Sequence, residues 1–151
     1  MSELVKGVPA PLFDRLASDL PATRAGSGGG QLETMEAVQA SIGRELRRLL
    51  NTRSSLGLSG YASQGNGSVL EYGVPDFSSL SAQSADDMTH LQSALRIAIE
   101  RYEPRLANVT VELTAAERRS DLAFVRIGAE ARVGVELRRV DFEMLLGEPT
   151  A

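Results

Sequence analysis

The chain has no cysteine, no tryptophan and a single histidine, and aromatic residues make up only 5% of its 151 positions. Missing thiols exclude disulfide staples and thiolate metal sites, and they agree with a reducing compartment. The one imidazole, His90, has only Asp86 and Asp87 nearby in sequence. That is no ligand set, so neither a metal nor any other cofactor is expected. No Gly-x-Ser-x-Gly elbow occurs, and no cysteine nucleophile is available. Basic charge is also short: sixteen Lys and Arg against twenty Asp and Glu leave a net charge of −4. A field of that sign does not favour nucleic acid as the main partner, because phosphate binding needs a basic footprint. No run approaches the ~18 apolar residues of a membrane helix. Met1 to Gly7 lacks the basic start and apolar stretch of a signal peptide. A soluble, cytoplasmic protein without direct membrane insertion is therefore expected.

What is present suits one globular domain, with 42% hydrophobic and 24% charged residues. Residues 1–31 read as an N-terminal segment and flexible linker. Within it, Pro9 to Leu20 predicts a short helix: Pro9 and Pro11 suit its entrance, and Leu12, Phe13, Leu16 and Leu20 share a face. Pro21 ends it, and Gly26 to Gly30 reads as a tether. A phosphate-binding loop would continue with Gly-Lys-Ser/Thr, whereas this chain continues Gln31-Leu32-Glu33. Residues 32–147 read as an α+β domain. Its first main helix is expected from Leu32 to Leu50, with an apolar stripe of Met35, Val38, Ile42, Leu46 and Leu49. Gly43 inside it predicts a close neighbour or a weak point. Arg44, Arg47 and Arg48 lie largely off the stripe, with Arg53 beyond the end. They form either a solvated face that suits a helix C-terminus or an arginine-rich docking surface.

Ser54 to Ser68 is rich in Ser, Gly and Asn and reads as a loop. Val69 to Tyr72 is expected to be a brief extended piece. Gly73-Val74-Pro75-Asp76 then reads as a turn, with Phe77 anchoring it. A second main helix is expected from Asp86 to Tyr102, capped by Ser84, with Met88, Leu91, Leu95, Ala98, Ile99 and Tyr102 buried. Pro104 stops it. The period then changes to two. Val109, Val111 and Leu113 share one face of a first strand, and Ala115 to Asp121 makes a hairpin loop. The second strand, Leu122 to Ala131, shifts phase after Phe124, which predicts a β-bulge near Val125-Arg126. A third strand from Glu136 to Leu145 places Val140, Phe142 and Met144 in step. The fold class is thus α+β: two main helices on a small antiparallel sheet, with a short N-terminal helix on a Gly-rich tether.

Two carboxylates facing across a cleft would suit glycoside hydrolysis, and Glu71, Asp76 and Glu103 are the candidates in turns or at element ends. The scarcity of aromatic faces argues against a sugar site. A binding protein is the reading preferred over an enzyme.

Four segments resemble the type VI secretion baseplate subunit TssE, a relative of the small baseplate wedge protein of contractile phages. The family is sometimes labelled lysozyme-like. The segments are Pro11-Leu12-Phe13-Asp14-Arg15-Leu16, Leu49-Leu50-Asn51-Thr52-Arg53, Tyr72-Gly73-Val74-Pro75-Asp76-Phe77 and Glu103-Pro104-Arg105-Leu106. The resemblance spans about residues 11 to 145. It implies a non-catalytic wedge component in the cytoplasm. Such a protein contacts other wedge subunits, reaches the inner membrane only through partners, and offers a platform for contractile sheath assembly. Sheath subunits in such machines join by β-augmentation, so an open sheet edge is implied here. Partner-binding residues carried over are Leu12, Phe13, Arg15, Asn51, Arg53, Tyr72, Asp76, Phe77, Glu103, Pro104 and Arg105. A local ion pair between Glu103 and Arg105 is the plainer reading of that last segment. Arg126 stands where the family carries an isoleucine. The competing functions are a peptidoglycan-cleaving enzyme and a cytoplasmic adaptor on the same fold.

Overall fold

A computed structural model describes residues 4–9, 11, 31–64, 67–81, 83–115 and 123–146. The Gly26 to Gly30 tether, the expected helix beyond Pro11 and the residues Leu12, Phe13 and Arg15 lie outside them. So does the hairpin loop expected at Ala115 to Asp121, apart from Ala115 itself. Strand β1 (Leu4–Pro9) pairs antiparallel with β2 (Gln31–Thr34). Pro9 therefore ends a strand instead of opening a helix. The first helix, α1 (Met35–Asn51), starts three residues later than its apolar pattern suggests. Thr34 sets that start: its backbone is extended, and its hydroxyl accepts the Ala37 N–H at 3.2 Å. A hydroxyl at this position satisfies one of the orphan donors of the first turn.

Val38, Ile42, Leu46, Leu49 and Leu50 of α1 are buried, together with the polar Ser41. The segment expected as a plain loop after Ser54 contains a second helix, α2 (Leu58–Gln64). Its Ser/Gly composition hides an anchor, since Tyr61 is fully buried. Burying so large a ring outweighs weak helix propensity over seven residues. Val69–Glu71 forms a 3₁₀ turn, not an extended piece. Helix α3 (Ala85–Tyr102) begins where Ser84 accepts the Asp87 N–H at 3.2 Å, and it buries Leu91, Ala94, Leu95, Ala98 and Ile99.

The sheet runs β3 (Leu106–Ala115), β4 (Ala123–Val133), β5 (Glu136–Leu146), all antiparallel in that order. One face carries Val109, Val111, Val125, Ile127, Ala129, Ala131, Val133, Val140, Phe142 and Leu146 into the core under the helices. A Cβ at Gly43 would lie 3.7 Å from the Phe142 ring, so α1 packs directly over β5 there. The predicted bulge at Val125-Arg126 is absent, because β4 pairs in unbroken register with β5 and straight through Val125 and Arg126 with β3. Phe124 produced the false phase change. It is more than half exposed on the outer face, while Val125 points inward. The irregularity lies in β3, between Ala107 and Thr110. There Asn108 has φ 51°, and its side chain donates to Glu130 at 2.6 Å. Asparagine is among the few residues that accept a left-handed backbone readily.

Candidate functional site

Three of the four sequence segments meet at one corner. Asn51 closes α1 and is half-buried, and the chain then runs alongside the Gly73 turn. Val74 donates its N–H to the Thr52 carbonyl at 2.9 Å and accepts from Ser54 N–H at 2.8 Å, so Arg53 and Val74 form a parallel bridge. Gly73 sits at φ 113°, and any Cβ there would lie 2.5 Å from the Thr52 carbonyl oxygen. Only glycine fits, which explains the residue between Tyr72 and Val74. Tyr61 supports the turn from below by donating its hydroxyl to the Gly73 carbonyl at 2.5 Å. Burial pushes the Tyr61 phenol up to about 12.

The surface of this corner is polar and aromatic. The exposed Arg53 guanidinium lies 4.1 Å from the centroid of Phe77, and its Nη1 donates to the Leu50 carbonyl at 3.4 Å. Asp76 is exposed and accepts both the N–H and the hydroxyl of Ser78 at 3.0 Å, which holds its carboxyl below the usual range. The Tyr72 and Tyr102 rings meet edge to face at 5.2 Å. Burial raises the Tyr72 phenol, with the Glu45 charge adding to it. Tyr102 extends further, donating to the Ser68 carbonyl at 3.2 Å.

Beneath that surface, Glu103 is 3% exposed. Its carboxylate takes a fork from Arg105: Nε to Oε1 at 2.7 Å and Nη2 to Oε2 at 2.6 Å. The Arg105 backbone N–H adds a third bond to Oε1 at 3.2 Å. Arg105 Nη1 continues to the hydroxyl of Ser41, at 3.0 Å, in the middle of α1. The Arg105 carbonyl accepts from Arg132 N–H of β4 at 2.7 Å. One acidic–basic pair therefore ties α1, the end of α3 and the sheet together, while Pro104 between them is exposed. Sequence reasoning found this pair but not its burial, nor Ser41. A serine interrupting the Val38–Ile42–Leu46 stripe was the available signal.

The three carboxylates weighed for hydrolysis are not brought together as an open pair. Glu103 is spent on Arg105, Asp76 on Ser78, and Glu71 accepts the Gly67 N–H at 3.1 Å. His90 is exposed on α3, beside Leu58, Tyr61, Ala62 and Ile97 in a groove of about 370 Å³. Among the described residues, no group of three His, Cys, Asp or Glu side chains is placed to hold a metal ion. Nor is any helix among them long and apolar enough to cross a membrane. Arg48 pairs with Glu45 one turn earlier in α1, and Arg44 and Arg47 are exposed.

Comparison with known proteins adds three findings. No curated protein matches the chain. A chain of the baseplate complex from the type VI secretion system has the same fold, at a TM-score of 0.51 and 19% identity. The match covers 74% of this chain and 95% of that one. The family model described as baseplate wedge protein gp25 matches residues 36–136, from the start of α1 to the first residue of β5. The chain belongs to the baseplate wedge protein gp25 family.

Proposed function

We propose that this protein is the TssE-type wedge subunit of a type VI secretion baseplate, acting by binding alone. The observation that carries this reading is the corner itself. Arg53 lies over the Phe77 ring and bridges to Val74, Tyr72 meets Tyr102 just before the internal Glu103–Arg105–Ser41 clamp, and Asn51, Asp76 and the exposed Pro104 neighbour these residues in the chain. A rim of arginine and aromatic side chains on a rigid frame suits a protein interface. Glu103 and Arg105 then serve assembly through geometry, by fixing how the rim is presented to neighbouring wedge subunits. The carboxylates that hydrolysis would require are already engaged, which supports a non-catalytic role.

The same protein would seed contractile sheath assembly by offering a sheet edge to a sheath strand, on the cytoplasmic side and without its own membrane contact. Backbone groups along the outer strands of a three-stranded sheet are the chemistry such a strand needs. Co-expression with the other wedge subunits and the sheath subunits tests this. Stable co-purification, and loss of sheath assembly when the chain is omitted, is the expected result. Turnover of purified peptidoglycan by the isolated protein, or sheath assembly that proceeds without it, would overturn it.

A further inference from the structure

Val69 and Leu70 stand side by side in the 3₁₀ turn, 89% and 85% exposed. Single exposed aliphatics are common, but an adjacent pair so fully in water calls for a physical reason. Looseness of the chain does not supply one, because the turn is fastened from the segment after α1, from α3 and from within. Ser55 Oγ donates to the Leu70 carbonyl at 3.0 Å, and Ser54 Oγ donates to the Glu71 carbonyl at 2.7 Å. The Tyr102 hydroxyl holds the Ser68 carbonyl, and the Glu71 carboxylate takes the Gly67 N–H. The backbone under the pair is set before any partner arrives, so little ordering entropy remains to be lost on contact. Such a pair is a ready-made knob.

The same chain carries a socket. The groove of about 370 Å³ between α2 and α3 is walled by Leu58, Tyr61 and Ala62 on one side and by His90, Ala94 and Ile97 on the other. Knob and groove share one end of α3. Arg101, one turn beyond Ile97, donates from Nη1 to the Tyr61 carbonyl at 3.5 Å. A Cβ at Gly67, in the base of the knob, would lie 3.1 Å from the Arg101 Cγ. The two features are therefore neighbours on the surface, yet the exposure of Val69 and Leu70 shows that they do not fill their own groove. A knob beside a socket is what a twofold contact needs, each copy giving its knob and taking the other's. We propose that a second copy of this chain occupies the groove, with Val69 and Leu70 of each copy seated between α2 and α3 of the other. Two aliphatic pairs are small against the ~1,200 Å² of a stable interface, so the pairing is weak and depends on concentration. It covers apolar surface that the free chain leaves in water, and it stands independently of the wedge role proposed above.

The experiment is sedimentation velocity on the full chain, from micromolar to near-millimolar concentration. The wild type should move from monomer toward dimer and no further, since a twofold contact closes on itself. Leu70→Asp on the knob and Ala62→Asp in the groove are both at exposed positions. Each should weaken the association at least about tenfold at an unchanged urea midpoint. A mixture of the two variants should recover part of it, because one intact knob then meets one intact groove. Monomer at every concentration, growth beyond the dimer, undiminished association of either variant, or a mixture no better than its components would overturn the proposal. So would a monomeric wild type whose Leu70→Asp variant loses capture of the other wedge subunits, which would assign the knob to a different protein.

Discussion

Two arginine–glutamate pairs in this molecule have similar bond lengths and opposite settings: Arg105 reaches both oxygens of Glu103, and Arg126 places two donors on one oxygen of Glu143. Arg105 grips Glu103 at 2.6 and 2.7 Å, with side chains 16% and 4% exposed. Arg126 of β4 grips Glu143 of β5 at 2.7 and 3.0 Å across the outer face of the sheet, 63% and 67% exposed. Bond lengths alone would rank them as equals. Solvent separates them. The exposed pair exchanges good hydration for a screened attraction, which leaves little net stability. In the buried pair, each partner has lost most of its water, and Glu103 is the one charge that compensates Arg105, with Ser41 adding a neutral hydrogen bond. Removing one side strands a charge in the interior.

The largest expected effect follows directly. Glu103→Ala leaves the Arg105 guanidinium mostly buried without its counter-charge and should cost about 3–5 kcal/mol of unfolding free energy, read by urea denaturation. An effect no larger than that of Glu143→Ala would break the comparison. Tyr61→Phe should come next, at about 1–3 kcal/mol, because it leaves the buried Gly73 carbonyl without its donor. The Tyr61 phenol, raised from 10.0 to about 12, also sets a pH window. The unfolded chain gives up this proton first, so the stability tied to it is complete below pH 10 and is lost as the pH rises toward 12. The wild-type protein should lose melting temperature across that interval more steeply than Tyr61→Phe does.

Gly43→Ala tests packing without charge. The new methyl would meet Phe142 at ordinary contact distance, so the gain in helix propensity should appear as about 0.5–1 kcal/mol of added stability in the same denaturation assay. The smallest effect belongs to the outer pair. A double-mutant cycle on Arg126 and Glu143 should give a coupling below ~1 kcal/mol that fades in high salt.

These contrasts mark where sequence reading succeeds and where it stops. Both long helices and all three sheet strands are legible, because Ile42, Leu46, Leu95 and Ile99 repeat at helical spacing and Val109, Val111, Val140 and Phe142 alternate. Strand β2 is not, since Gln31 to Thr34 continues the helical pattern by chance and only the Thr34 cap marks the true start. Helix α2 is hidden by its serines and glycine, and its single anchor, Tyr61, is meaningful only once Gly73 is known to lie above it. Phe124 misled because aromaticity suggests burial, while its neighbours decide which face it takes. Asn108, a residue that tolerates positive φ, was the overlooked signal for the real bulge. At the corner, the motif residues are visible in sequence but their division of labour is not. Burial separates Glu103 from Arg53, and burial is a property of the packed chain.

That division is the central proposal: the Glu103–Arg105 pair holds the corner, and the exposed surface around Arg53 is proposed to make the contact. The direct measurement is capture of the other wedge subunits by Arg53→Ala and by Arg126→Ala, both compared with wild type at matched melting temperature. The account predicts that Arg53→Ala keeps its fold but loses capture, while Arg126→Ala retains it. Undiminished capture by Arg53→Ala would contradict the account.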